Sequence, residues 1–190
     1  FQPGDHIRFR RGGEWHGMLR FQGNGSAWSP IAVEAYGEGG MPQIHGDGCY
    51  AAVLLEGVSH WRVKELAVTN EAETRSVRQG ICICGSPQGI TEDIVIEGCE
   101  ISRVAGENRR ARDVYQSMYW NSGIYVTMPG RSSDKNHLHD IIISNNYVHD
   151  VLTSGIRVNQ QEDFINDIHH THVVVRGNRI ERTGSDGIIV

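Results

Sequence analysis

The 190-residue chain is short of cysteine (4), proline (5) and aromatic residues (7%), and it has no long apolar run. Each shortage excludes something. A helix needs about 20 mostly apolar residues to span a bilayer, so no helical membrane segment and no membrane partner are expected. The cysteines, at 49, 82, 84 and 99, do not follow a zinc spacing. Cys82 and Cys84 alternate on one strand face and are poorly placed to bridge each other, so unpaired structural thiols are expected. Positive charge is not in excess either. The net charge of -5 and a pI near 6.0 argue against nucleic acid as a partner. A polyanionic substrate stays open, because Arg8, Arg10 and Arg11, and Arg109, Arg110 and Arg112, cluster locally. Gly12-Gly13 is not followed by the Lys-Ser/Thr of a phosphate loop, and there is no nucleophile elbow. No segment keeps a helical period, and 23 glycines interrupt the chain.

What is present is a repeat. The segment from Leu138 to Val158 returns from Thr171 to Val190, with Ile141 over Val173, Asn146 over Asn178, and Gly155-Ile156 over Gly187-Ile188. Two weaker copies precede it, anchored at Trp61 and Ile94 and followed by Gly80-Ile81 and Gly123-Ile124. Each copy holds short runs of β-branched residues bounded by Gly, Asn and Asp, which are strand and turn signals. Like falls on like in every column: Ile94, Ile141, Val173; Ile96, Ile143, Val175; Ile101, Val148, Ile180; Ile81, Ile124, Ile156, Ile188. Columns of that kind predict an all-β, right-handed parallel β-helix, each coil burying its apolar side chains against the next. The column Leu66, Cys99, Asn146, Asn178 predicts an asparagine ladder in the last two coils only.

A single domain spanning 1–190 is expected: an opening region and first coils over 1–52, then repeated coils with loop insertions over 53–190. The chain ends on the uncapped strand Gly187-Ile188-Ile189-Val190. The expectation is therefore the N-terminal coils of a longer β-helix, with self-association through the open last coil.

These residues resemble the pectate-lyase-like right-handed β-helix superfamily. The opening Phe1-Gln2-Pro3-Gly4-Asp5-His6-Ile7, the stretch Pro30-Ile31-Ala32-Val33-Glu34-Ala35-Tyr36-Gly37 and Thr183-Gly184-Ser185-Asp186-Gly187-Ile188 look like secreted bacterial parallel β-helix repeat proteins. The resemblance implies a carbohydrate-active protein, secreted, periplasmic or on the cell surface, with a polysaccharide or oligosaccharide as its partner. The superfamily holds hydrolases, lyases, epimerases and binders, so the fold does not choose among them. Where members commonly read Ile-Asp-Gly, this chain reads Ile44-His45-Gly46-Asp47.

The variable segments flank the Gly-Ile strands, which should therefore floor a groove. Alternation sends Ile124, Val126, Ile156 and Val158 inward and Tyr125, Thr127, Arg157 and Asn159 outward. Tyr125, Arg157, Asn159, Asp113 and Arg112 are the expected substrate-binding residues. An exposed tyrosine and arginine suit sugar rings and carboxylates. Catalytic carboxylates are sought in Asp186, Glu162 and Asp163, with Asp113 and Glu107 as further acids. Carboxylates one or two coils apart, at about 4.8 Å per coil, would approximate the spacings that glycoside hydrolysis needs. That favours a glycoside hydrolase. The alternatives are a uronate-specific lyase or epimerase, with Arg157, Lys135, Arg131 or Arg112 neutralising the substrate carboxylate, and a non-catalytic glycan-binding or adhesion β-helix. Asp163, Asp167, His169, His170 and His172 fit no strong ligand spacing, so no metal is expected; calcium would enter only with lyase chemistry.

Overall fold

In the computed structural model, residues 1–107, 120–130, 133–159 and 170–190 are described, and they form three six-stranded sheets in which every strand pair is parallel. The first sheet stacks β1 (His6–Arg10), β4 (Ile31–Tyr36), β7 (Trp61–Lys64), β10 (Thr91–Glu97), β13 (Leu138–Ser144) and β16 (Thr171–Arg176). The second stacks β2 (Glu14–His16), β5 (Gln43–His45), β8 (Ala67–Asn70), β11 (Glu100–Val104), β14 (Tyr147–Val151) and β17 (Arg179–Thr183). The third stacks β3 (Leu19–Arg20), β6 (Ala51–Glu56), β9 (Gln79–Cys84), β12 (Ser122–Thr127), β15 (Ser154–Val158) and β18 (Ile188–Ile189). The chain visits the three sheets in turn, so each coil contributes one strand to each. This is the expected parallel β-helix.

The register matches the sequence columns. Trp61, Ile94, Ile141 and Val173 are successive partners, as are Val63, Ile96, Ile143 and Val175. In the third sheet Val53, Ile81, Ile124, Ile156 and Ile188 align. One continuous buried cluster fills the lumen, running from Phe9 to Val158. Alternation with period 2 on all three sheets, with every second residue pointing inward, is what builds it.

The asparagine ladder is present where expected. Asn146 Nδ2 donates to Asn178 Oδ1 at 2.9 Å and to Ile96 O at 3.1 Å, while Asn146 Oδ1 accepts the Cys99 amide at 2.9 Å. Asn178 Nδ2 repeats the step, donating to Ile143 O at 2.9 Å. One coil earlier Cys99 holds the same position, and its thiol lies 3.9 Å from Val63 O. A weak S–H donor thus stands where the later coils carry an amide, and burial pushes that thiol up to about 12. All four cysteines are unpaired thiols.

The glycines before Ile81, Ile124 and Ile156 of the third sheet have a steric cause. A Cβ on Gly123 would fall 2.4 Å from Val148 Cγ1 and 2.8 Å from Gly155 O, and Gly80 and Gly155 meet equivalent obstacles. The second and third sheets pack too closely there for any side chain. Gly123→Ala is expected to cost about 1–3 kcal/mol by overpacking and to lower Tm by several degrees in a thermal melt. Gly40→Ala, where nothing lies within 4 Å, should leave Tm unchanged.

Candidate functional site

The predicted groove strands are β9, β12, β15 and β18 of the third sheet. On their outward side Leu54, Cys82, Tyr125, Arg157 and Ile189 succeed one another in register. Here the structure corrects the sequence reading. Tyr125 is 2% exposed and Arg157 9% exposed, so neither forms a solvated strip. Alternation did direct both away from the lumen. The face they share is nonetheless packed: Ala51, Leu54, Cys82 and Tyr125 make a second apolar cluster, with Cys84 against it. Burial pushes the Tyr125 phenol up to about 12 and the Cys84 thiol up to about 11, and it raises the Cys82 thiol and the Tyr50 phenol as well. These groups stay neutral at physiological pH. Asn159 is half-buried at the far end of the same strands, its amide donating to Val126 O at 2.8 Å.

Asp186 sits two residues before Ile188, the first residue of β18, and is exposed. Its backbone oxygen accepts the Gly155 amide at 3.0 Å, which fixes its place on the stack, and its carboxylate accepts a hydrogen bond from the Ser185 hydroxyl at 2.8 Å. It is therefore not a turn residue sealed among backbone amides. In the preceding coil of that column Ser154 is buried, and before it Ser122 and Gln79 are buried, the Ser122 amide donating to Gln79 Oε1 at 3.1 Å. Glu162, Asp163, Asp113 and Arg112 lie outside the described residues, as do Asp167, His169 and Arg131. Glu107 is described, and its backbone amide and carbonyl are both bonded to the Asn121 side chain.

A concentration of charge that the sequence reading missed lies at the corner between the second and third sheets. An open cleft of about 590 Å³ is lined there by Glu71, Glu73, Arg103, Asp150 and the apolar Val104 and Leu152. The corner is shaped by one repeated step. Arg103, Asp150 and Arg182 each adopt a positive φ (49°, 52° and 49°) directly after the second-sheet residues Ser102, His149 and Glu181, which are register partners. Against β8 the step appears as a register shift between Ser102 and Val104. It breaks alternation and turns the charged side chains outward together.

Pairing at the corner runs from coil to coil. Arg103 bonds Glu71, and Arg182 bonds Asp150 through Nε (2.6 Å) and Nη2 (2.8 Å). His149 contributes Nδ1 to Asp150 at 2.6 Å and Nε2 to Glu100 at 3.1 Å. Arg182 first, and His149 after it, hold the Asp150 carboxyl well below the usual carboxylate range. Asp150 is thus ionised at any physiological pH, which suits a base or an electrostatic partner and not a proton donor. Deeper in, Arg78 is buried and donates to Gly48 O (2.9 Å) and Ala105 O (3.1 Å), tying neighbouring loops.

The signal that could have revealed this corner is the recurrence of a charged residue one position before the last residue of each second-sheet strand (Arg103, Asp150, Arg182), where Asp is also tolerated at positive φ. Of the histidines in the weak metal reading, His170 and His172 are described, and both have other partners. His170 Nδ1 accepts the Leu138 amide at 3.2 Å, and its ring is pushed down to about 4 by burial and then by His137; His172 bonds Asp140.

No protein-family model matches the chain, and no curated protein does. Among solved structures it is similar to the GH136 lacto-N-biosidase from Eubacterium ramulus, with a TM-score of 0.61 and 18% identity over 83% of this chain and 38% of that one. The selenomethionine derivative of that protein gives 0.59 and 19% over 83% and 37%. An alginate lyase from Paenibacillus sp. str. FPU-7 aligns over 99% of this chain and 93% of its own, at a TM-score of 0.37 and 12% identity. The chain spans less than two fifths of the length of the lacto-N-biosidase. At such identities the likeness supports the architecture alone.

Proposed function

We propose that the chain is a polysaccharide-processing enzyme or part of one, a glycoside hydrolase working by carboxylate acid/base chemistry at the corner between the second and third sheets. The observation that carries the reading is the cleft of about 590 Å³, where Glu71, Glu73 and Asp150 gather around Arg103, with Asp186 exposed one coil beyond Asp150. Carboxylates on neighbouring coils fall in the range of separations that two-carboxylate glycoside hydrolysis uses. Asp150, held ionised, is fitted to activate water or to stabilise positive charge on the sugar ring. Asp186, exposed and bonded only by a neutral hydroxyl, is the group fitted to exchange a proton. The lacto-N-biosidase likeness supports hydrolysis, and a polymeric glycan accords with a secreted or cell-surface protein.

One observation favours a second reading. Arg103, which lines the cleft and pairs with Glu71, is placed to exchange that partner for a uronate carboxylate, as a lyase requires. A screen of neutral and uronate polysaccharides separates the two. Hydrolysis is expected to release reducing ends without new ultraviolet absorbance, whereas a lyase would raise absorbance from unsaturated ends. Binding without either product would assign the cleft to a glycan-binding module.

A further inference from the structure

We propose that Glu14, His16 and His45 form a binding site for a divalent transition-metal ion, zinc in the first place, spanning the first two coils on the outer face of the second sheet. The three side chains offer ligand atoms that all lie within 4.8 Å of one another. Register explains why they meet. β2 pairs with β5 so that Glu14 faces Gln43 and His16 faces His45; Ile44 is buried in the lumen and its register partner Trp15 packs edge-on against Phe9, so the next residues, His16 and His45, take the outer side. The two imidazoles lie with centroids 4.9 Å apart and planes 27° from parallel.

The second observation concerns the other ring nitrogens. His16 Nδ1 lies 2.9 Å from Asp47 Oδ2, and His45 Nδ1 lies 2.8 Å from Thr69 Oγ1. A carboxylate only accepts, so His16 carries a proton on Nδ1, and in the neutral ring the lone pair is then on Nε2. With Thr69 accepting, His45 does the same. An Nδ1–H held by a carboxylate or hydroxyl, with Nε2 left as the ligand, is the support that metal-binding histidines ordinarily have. Glu14 Oε2 stands 4.0 Å from His45 Nε2, too far for a hydrogen bond and on the ligand side of the ring.

Other histidines on this fold show the contrast. His149 spends both nitrogens on carboxylates, Glu100 and Asp150, and His139 faces Thr171 with one nitrogen and Asp140 with the other. Neither ring keeps a nitrogen for an ion.

Zinc takes imidazole nitrogen at about 2.0–2.1 Å and carboxylate oxygen at about 2.0–2.2 Å, which places ligand atoms roughly 3.3 Å apart. Closing from 4.8 Å asks for movements of about 1 Å, and the side chains that must move, His16 and Glu14, are 65% and 63% exposed. Two imidazoles and one carboxylate leave a fourth position for water. The ion would join β2 to β5, strands of three residues each and among the shortest in the stack. It would act as a clasp on the opening coils, independent of the proposed hydrolysis at the far corner.

The test is calorimetric titration of Zn²⁺ into chelator-treated protein, with a thermal melt of each sample. Wild type is expected to bind one equivalent through this site and to melt higher with zinc. His16→Gln and His45→Gln should each weaken that equivalent at least tenfold and remove the thermal gain. Asp47→Asn, which alters the carboxylate beside His16 Nδ1, should weaken it by about 10–100-fold. His149→Gln should change nothing. His16 is exposed, so its variant keeps the fold even if His45→Gln disturbs it. The proposal is overturned if wild type binds no zinc, or if the His16→Gln titration superimposes on that of wild type.

Discussion

Ile143→Asp is expected to abolish folding at neutral pH. Ile143 is fully buried, in register between Ile96 and Val175 at the centre of the lumen, with apolar side chains around it. A carboxylate there loses its hydration and gains no partner, at a cost of several kcal/mol, unless it takes up a proton instead. The buried isoleucine contributes about 1.5–3 kcal/mol that is lost as well. Against a typical total of about 5–15 kcal/mol, little margin remains. The introduced carboxyl has its folded pKa raised above its unfolded value, so the damage is smallest in acid and grows as pH rises through the raised value. The matched comparison is Ile142→Asp. Ile142 lies one residue away, between Val95 and Val174, half-buried on the outside of the same strand. Far-ultraviolet circular dichroism and a melt should find Ile142→Asp folded and Ile143→Asp unfolded. Equal behaviour of the pair would contradict the inward placement.

Asp186→Asn is expected to lower turnover on the correct polysaccharide by about 10²–10⁴-fold, the usual contribution of a positioned acid or base. The amide can neither give nor take the proton, yet it keeps the shape and can still accept from the Ser185 hydroxyl. Because Asp186 is exposed, stability should shift by no more than about 0.5 kcal/mol. A loss of activity with an unchanged melting curve therefore reports chemistry. Retained turnover would remove Asp186 from the mechanism and leave Asp150, Glu71 and Glu73 as the carboxylates to test.

The lumen was legible because it obeys a period. Ile94, Ile141 and Val173 recur with the same neighbours, and stacking like on like needs no further information. The asparagine ladder was legible for the same reason, down to its failure at Cys99. Tyr125 and Arg157 were half legible. Alternation tells which side of a sheet a residue takes and says nothing about what covers that side, so their burial escaped. The Arg103, Asp150 and Arg182 corner escaped because it depends on a positive φ that interrupts alternation, and a charged residue gives little local sign of one. The pairing of His16 with His45 was hidden by the first two coils, whose copies are too divergent for register to be read from sequence.

Connections across the cleft corner differ widely in length while the strands they join stay in register. Residues 71–78, 105–121 and 152–153 link β8 to β9, β11 to β12 and β14 to β15, yet Gln79, Ser122 and Ser154 remain direct partners. Closing a loop costs only about 0.6 kcal/mol more for each doubling of its length. Growing the shortest of these into the longest is about three doublings, or roughly 2 kcal/mol, a sum that a few more buried methyl groups would offset. Such a corner is tolerant ground for evolution. Whole segments can be exchanged there while the register of the stacked interior is kept.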